Sequence, residues 1–241
     1  MYYTEKYTIP SYLCDYEDNL TMWGLARLFQ DVAGRHVDSL GLGFTSLIEQ
    51  GKAWVLCRCI YHINCLPKEG KEISIKTWSR GTDGLFAFRE YEVRDEQDII
   101  LASCSSYWAV IDFSTRRVIR IQHLMDNFEH HEISATGVEN IERIRIPLDL
   151  QDSNVVSNFS VKPSMLDHTL HVNNAEYIKW IFDNLFLNPV SKITEPFILQ
   201  VEYIQETKPD ETVSVYKIQD QLSTYFQISN SRGVSFKAKI S

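Results

Sequence analysis

No stretch of this 241-residue chain is apolar for long enough to cross a bilayer as a helix. Its first residues, Met1-Tyr2-Tyr3-Thr4-Glu5-Lys6-Tyr7, lack the basic segment and apolar core of a secretory leader, so a cytoplasmic location is expected. Cysteine is scarce and odd in number. Cys14, Cys57, Cys59, Cys65 and Cys104 include no CxxC pair, which argues against both a disulfide framework and a cysteine-type zinc site. Cys57 and Cys59, two apart in an apolar run, are expected to face one side of a strand as small buried side chains. Positive charge is also short: 24 Lys and Arg stand against 32 Asp and Glu, for a net charge of −8. That balance argues against nucleic acid as a partner, and an acidic protein partner would need a local basic patch. What remains, 44% hydrophobic and 23% charged residues, is ordinary globular composition in a chain long enough for one large domain or two small ones.

The order of patterns is more informative. After a short strand at residues 7–10, helical spacing of Leu25, Leu28, Phe29, Val32 and Ala33 predicts a helix over 21–40, stopped by Gly41 and Gly43. Residues 44–49 add a short helical turn. Strands follow at 53–64, 72–79, 85–94, 99–113 and 117–121, punctuated by Pro67-Lys68-Glu69-Gly70 and Gly81-Thr82-Asp83-Gly84. Residues 126–158 are polar and irregular and read as a linker. The programme then repeats: a strand at 159–161, a polar stretch, a helix over 174–187 stopped by Asn188-Pro189, and strands at 197–205, 212–220, 221–230 and 234–240.

The halves superpose by residue. Asp15, Leu28 and Phe29 fall on Asp167, Trp180 and Ile181, each 152 positions on (167 − 15), and Ile73 and Ile75 fall on Val213 and Val215, 140 positions on (213 − 73). A long helix with a broad apolar face, followed by several strands, suggests a sheet curled around that helix, twice. Any α+β sandwich would give a similar pattern.

The segment Asp167-His168-Thr169-Leu170-His171-Val172-Asn173-Asn174 concentrates polar chemistry just before the second helix. If it is extended, Asp167, Thr169 and His171 share one face. Asn173 or Asn174 then caps the helix, whose N–H groups and partial positive charge converge there.

In these residues the chain resembles the acyl–acyl carrier protein (ACP) thioesterases, tandem hot-dog proteins. The resemblance rests on that segment running into Tyr177 and Trp180, and on Val201-Glu202-Tyr203-Ile204-Gln205-Glu206. In the first half it rests on Gly51-Lys52-Ala53-Trp54-Val55, Thr77-Trp78-Ser79-Arg80, and Ser105-Ser106-Tyr107-Trp108 leading to Ser114-Thr115-Arg116-Arg117. It implies an α+β double hot-dog, two units each with a long helix wrapped by an antiparallel sheet. Residues 1–125 would hold the acyl chain, and residues 159–241 would carry the catalytic groups. The implied activity is hydrolysis of fatty acyl-ACP without metal or organic cofactor, by a chain free to form a homodimer. The alternatives are a hot-dog hydrolase of acyl-CoA and an acyl-binding protein without turnover.

The family's active centre combines an Asp-x-Asn-x-His segment with a glutamate from a following strand. Carried over, these are Asp167, His171 and Glu206, with Thr169 in place of the asparagine. Threonine offers one donor where asparagine offers two. A cysteine sometimes assigned just after the glutamate is Thr207 here, so that thiol nucleophile is missing. Hydrolysis of a thioester needs a placed water, a base and oxyanion donors. Glu206, directly or through His171, is the expected base, with Asp167 orienting and the N–H groups at Asn174 holding the carbonyl oxygen. Read without the resemblance, Glu206 is a solvated strand carboxylate and His171 a helix-start histidine bonded to backbone. Asn173 and Asn174 join the expected substrate-binding groups, although a structural capping role competes. Leu28, Val55, Trp78, Phe86 and Phe88 are expected to line the acyl pocket, or else to be plain core; Tyr177, Trp180 and Phe182 are expected to be core or interdomain packing. Arg116, Arg117 and Arg120, with Arg143 and Arg145, are the densest basic positions and the expected docking patch for an acidic carrier. The first half has Asn19 and Thr21 where the second has His171 and Asn173, so one active site per chain is expected.

Overall fold

The computed structural model describes residues 1–125, 128–147, 150–186 and 194–241. Its elements in chain order are β1 (Tyr3–Thr8), α1 (Met22–Ser39), α2 (Phe44–Glu49), β2 (Lys52–Ile63), β3 (Glu72–Thr82), β4 (Phe86–Arg94), β5 (Ile100–Asp112), β6 (Val118–Ile119), α3 (Gln122–Met125), β7 (Val155–Ser160), α4 (Asn174–Phe186), β8 (Phe197–Tyr203), β9 (Thr212–Gln219), β10 (Thr224–Asn230) and β11 (Gly233–Ile240). The chain divides into two compact units, Met1–Ile141 and Glu142–Ser241. The helix end expected at Leu187 and the stop at Asn188-Pro189 lie outside the described residues.

The two units repeat one antiparallel topology. In the first the strand order is β1-β3-β4-β5-β2, with β6 paired to β5. In the second it is β7-β9-β10-β11-β8. Each strand thus keeps the place of its repeat equivalent, and each unit is a hot-dog with its long helix against the sheet.

In the first unit Leu25, Phe29, Val32 and His36, spaced three or four apart, form the buried stripe of α1. Phe29 stacks on Tyr61 of β2 and Tyr91 of β4, with ring centroids 6.1 and 4.5 Å away. Full burial of each such apolar side chain contributes roughly 1.5–3 kcal/mol. In the second unit Tyr177 of α4 stacks on Phe236 of β11 at 5.2 Å, and Trp180 meets Phe159 of β7 edge-on at 4.9 Å. Tyr177 and Trp180 are therefore core, as one sequence reading had them.

The sheet of the first unit is apolar on both faces, which periodicity alone did not separate. Strand alternation puts Ala87, Arg89 and Tyr91 of β4 towards α1 and Phe86, Phe88 and Glu90 away from it. Trp78 pairs with Glu90 and shares that outer face. What covers the face is part of the segment read as linker. Trp78 Nε1 donates to the Ile133 carbonyl at 2.9 Å, and the Tyr107 hydroxyl donates to the Glu139 carbonyl at 3.2 Å. The buried carboxylate of Glu90 takes Arg80 at 2.8 Å, the Ser105 hydroxyl and the Ala135 N–H at 2.9 Å. Burial raises the pKa of Glu90, and these donors oppose that.

Residues 128–141 thus belong to the first unit, and residues 155–158 are already strand β7. Their polar composition hid this, because much of the cover binds through backbone groups, with Phe128 and Ile141 as its buried apolar side chains. The expectation for Cys57 also fails. A bulge between Leu56 and Arg58 breaks the alternation, so Cys57 is half-buried whereas Cys59 is buried. Among the described residues no helix is long and apolar enough to cross a membrane.

Candidate active site

The polar segment before α4 is a tight loop, not the extended strand its spacing suggested. Leu166 and Val172 form an isolated antiparallel bridge. Inside it, Asp167 N–H donates to the His171 carbonyl at 2.8 Å, and Leu170 N–H donates to the Asp167 carbonyl at 3.1 Å. Leu170 takes a left-handed conformation, φ 61°, to close the turn. The turn reason is local: the aspartate side chain mimics a backbone acceptor and folds the next residues back on itself. Asp167, Thr169 and His171 still meet on one side, but through this turn rather than through a pleat.

Their contacts form a directed chain. Asp167 Oδ1 accepts from Thr169 N–H at 2.8 Å and from the Thr169 hydroxyl at 2.6 Å. The Thr169 hydroxyl has one proton, and Asp167 takes it, so its oxygen faces His171 Nδ1, 3.1 Å away, as an acceptor. His171 therefore carries a proton on Nδ1. Its Nε2 lies 2.9 Å from Glu206 Oε2. A bare nitrogen lone pair and a carboxylate oxygen would repel at that distance, so the pair shares one proton between imidazole and carboxylate. The His171 and Glu206 side chains are 20% and 35% exposed, open enough to meet a substrate.

Glu206 lies three residues beyond the end of β8, not on a strand as expected. Backbone and side-chain anchors hold it there. Val172 N–H donates to the Thr207 carbonyl at 3.1 Å, tying the two segments together. Thr207 N–H donates to the hydroxyl of Tyr177 at 3.0 Å, whose pKa burial pushes up to about 12. Arg232, from the turn between β10 and β11, donates through Nη2 to the Glu206 carbonyl. Its Nε donates to Glu211 Oε1 at 2.8 Å. Asn230 Nδ2 bonds both Glu211 Oε2, at 3.2 Å, and Thr207 Oγ1, at 3.3 Å. Burial would raise the Glu211 pKa, but its bonds to Arg232 and the Lys208 N–H outweigh that and lower it. Thr207 itself is buried and bonded within this bracket.

Arg232, Glu211 and Asn230 were not singled out from sequence. Asn230 and Arg232 lie on the β10–β11 hairpin and Glu211 just before β9; their convergence on the Glu206 segment is tertiary, and no local spacing announces it.

At the helix start the expected cap is Asn173. Its Oδ1 accepts from Ala175 N–H at 2.9 Å, and its carbonyl accepts from Glu176 N–H at 2.9 Å. Asn174 lends its carbonyl to the Tyr203 hydroxyl at 3.1 Å. Among the described residues, no acceptor is bonded to the Asn174 N–H or side-chain amide.

The remaining expected residues belong to the first unit, apart from Arg143, Arg145 and Phe182. Leu28 is buried on α1, and Val55 is 36% exposed. Trp78, Phe86 and Phe88 lie on the sheet face away from α1, where Phe88 packs on Tyr107 at 4.6 Å. Arg116, Arg117 and Arg120 are exposed around the turn after β5. Arg143 and Arg145 are exposed in the second unit, with Arg143 Nε 3.8 Å from Glu202. Phe182 is half-buried, 6.4 Å from Phe197.

Comparison with known proteins agrees with this architecture. The chain is 25% identical over 226 residues to a chloroplastic oleoyl-acyl carrier protein thioesterase of Arabidopsis thaliana, an alignment covering 88% of this chain and 61% of that one. It thus spans about three fifths of that relative's length. An acyl-ACP thioesterase from Bacteroides thetaiotaomicron superposes with a TM-score of 0.86 at 21% identity, over 99% of this chain and 96% of the other. The 12:0-ACP thioesterase from Umbellularia californica superposes at 0.82 with 18% identity, over 100% and 96%. These two likenesses speak for the fold. The family model for the acyl-ACP thioesterase N-terminal domain matches residues 1–127, and that for the C-terminal domain matches residues 149–241. With both parts matched in order, the chain belongs to the acyl-ACP thioesterase family.

Proposed function

We propose that this chain hydrolyses the thioester of a fatty acyl group carried on acyl carrier protein, releasing the free fatty acid. The observation that carries the reading is the 2.9 Å contact of His171 Nε2 with Glu206, backed by Thr169 and Asp167. In the proposed cycle the shared proton makes His171 an imidazolium, and Asp167 stabilises that charge through the Thr169 hydroxyl. Glu206 takes a proton from water as the water oxygen bonds to the thioester carbon. The N–H and side-chain amide of Asn174 receive the oxyanion at the N-terminus of α4, where partial positive charge favours it. Collapse breaks the C–S bond, and the proton held by Glu206 passes to the departing thiolate. Thr169 thereby replaces the family's asparagine by accepting from the imidazole.

The first unit, whose own loop lacks an imidazole and a carboxylate pair, is proposed to hold the acyl chain, with Leu28 lining it. Arg116, Arg117 and Arg120 are proposed to meet the acidic carrier. A cytoplasmic site of action completes the reading.

The test is purified protein with acyl-ACP, scored by free fatty acid and free thiol. Glu206→Gln and His171→Ala should each cost on the order of a hundredfold or more in turnover. Near-normal turnover in both would end the proposal. The docking assignment predicts a KM for acyl-ACP that rises with salt and is set higher by Arg117→Ala.

A further inference from the structure

Leu170 holds a position that suits leucine badly on two separate counts. Its backbone is left-handed, φ 61°, a conformation that disfavours residues with a bulky side chain. Its side chain is 68% exposed. The other described non-glycine residues with positive φ are Asp18, Asp98, Arg116 and Asp210, all polar. Asp18 is the repeat equivalent of Leu170, at φ 65° in the matching loop of the first unit. Aspartate tolerates that conformation because its short polar side chain bonds locally. The loop therefore needs the conformation in both units, and at that position only the second presents an apolar side chain to water.

Leu170 directly precedes His171, whose Nε2 contacts Glu206. On the thioesterase reading, on which this inference rests, the reacting carbonyl lies at that pair. Its sulfur continues into a pantetheine arm that leaves past the same loop. The arm's length keeps the folded carrier away from the thioester, beyond a side chain adjoining the imidazole. Its methylenes and gem-dimethyl group are apolar and gain by leaving water against an isobutyl group. We infer that Leu170 is a specificity-determining contact that packs on the apolar part of the pantetheine arm. That chemistry is shared by carrier protein and coenzyme A.

The experiment compares wild type with Leu170→Asn, Leu170→Gly and Leu170→Met. It reads KM and kcat for acyl-ACP, inhibition by holo-carrier, by apo-carrier lacking the arm and by coenzyme A, and the melting temperature. Asn and Gly accept positive φ, so the melting temperature should not fall. KM and the inhibition constants of holo-carrier and coenzyme A should rise roughly fivefold, the scale of one partly buried apolar side chain. Inhibition by apo-carrier and kcat should hold, and Leu170→Met should restore KM.

Unchanged constants in an active enzyme would overturn the inference alone. So would an equal loss towards apo-carrier, which places the contact on the carrier body, or a fall in kcat without a rise in KM, which marks a distorted loop. A wild-type protein that does not hydrolyse acyl-ACP would overturn the thioesterase reading and this inference with it.

Discussion

The loop before α1 and the loop before α4 share a backbone frame bond for bond, yet only the second carries an imidazole, His171, set against a carboxylate, Glu206. In the first, Cys14 bridges Leu20; in the second, Leu166 bridges Val172. Asp15 N–H bonds the Asn19 carbonyl at 2.8 Å, as Asp167 N–H bonds that of His171. Thr21 N–H reaches the Leu13 carbonyl at 2.9 Å, and Asn173 N–H reaches that of Met165 at 3.0 Å. Leu20 N–H is tied to the Pro67 carbonyl at 2.8 Å, and Val172 N–H to that of Thr207.

The side chains part company. Asp15 Oδ1 turns inward, accepting from the backbone of Glu17 and Asn19, both at 2.9 Å. Asp167 Oδ1 spends a bond on a hydroxyl that passes polarity on to His171. By the 140-residue spacing, the counterpart of Glu206 is Leu66 (206 − 140). The frame is thus a scaffold for presenting a helix N-terminus, and the chemistry is an overlay of a few side chains.

The sharpest way to break the comparison is to give the second unit the residues of the first at these positions. His171→Asn or Glu206→Leu should each lower kcat on acyl-ACP by about a hundredfold or more. The double variant should lose little beyond either single one, because the two act as a unit. Steady-state rates of fatty acid release decide this. An additive double loss would mean that imidazole and carboxylate work separately.

Next in size is Thr169. Thr169→Val removes the hydroxyl that links Asp167 to the imidazole, and should cost roughly tenfold in kcat, the scale of one charge-assisted hydrogen bond. Thr169→Asn, the family's residue, should stay within a few-fold of wild type. An unaffected Val variant would show that Asp167 does not act through this hydroxyl.

The repeat, the helix positions and the cluster of polar residues before α4 were legible in the sequence because each is local. Leu25 to Ala33 declare their stripe by spacing, whereas the segment from Asp167 to His171 read as extended and folds as a turn. What was not legible depends on partners distant in the chain. Trp78, Phe86 and Phe88 read as acyl-pocket lining or plain core, and only register shows that they share the sheet face away from α1. The cover at residues 128–141 read as linker because it satisfies Glu90 and Tyr107 with backbone groups, which leave no mark in composition. Glu206 was placed on a strand because the pattern of β8 runs on past Tyr203, where pairing with β11 ends.

Arg232 sharpens the comparison from outside the loop. It braces the Glu206 carbonyl while paired with Glu211, so Arg232→Ala should loosen the carboxylate without removing it. A several-fold fall in kcat is expected, with KM little changed, since misplacing a catalytic group by a fraction of an ångström weakens catalysis without abolishing it. Arg232→Lys keeps the charge but not the fork of donors, and should recover only part of the loss. A fall in KM-limited rate alone would instead place Arg232 on the substrate.

The smallest expected effect on activity belongs to Asp15. It anchors the first loop as Asp167 anchors the second, but nothing bonded to its carboxylate leads to a base. Asp15→Ala removes two backbone hydrogen bonds from a solvent-facing turn, a loss of about 1 kcal/mol. In a unit of this size the melting temperature should drop by about 2–4 °C. Turnover per folded molecule should stay at the wild-type level at a temperature where both proteins are folded, because the first frame only positions α1. A drop in kcat to match that of Thr169→Val would mean that the first loop contributes to chemistry after all, and that the two frames are not divided into scaffold and site.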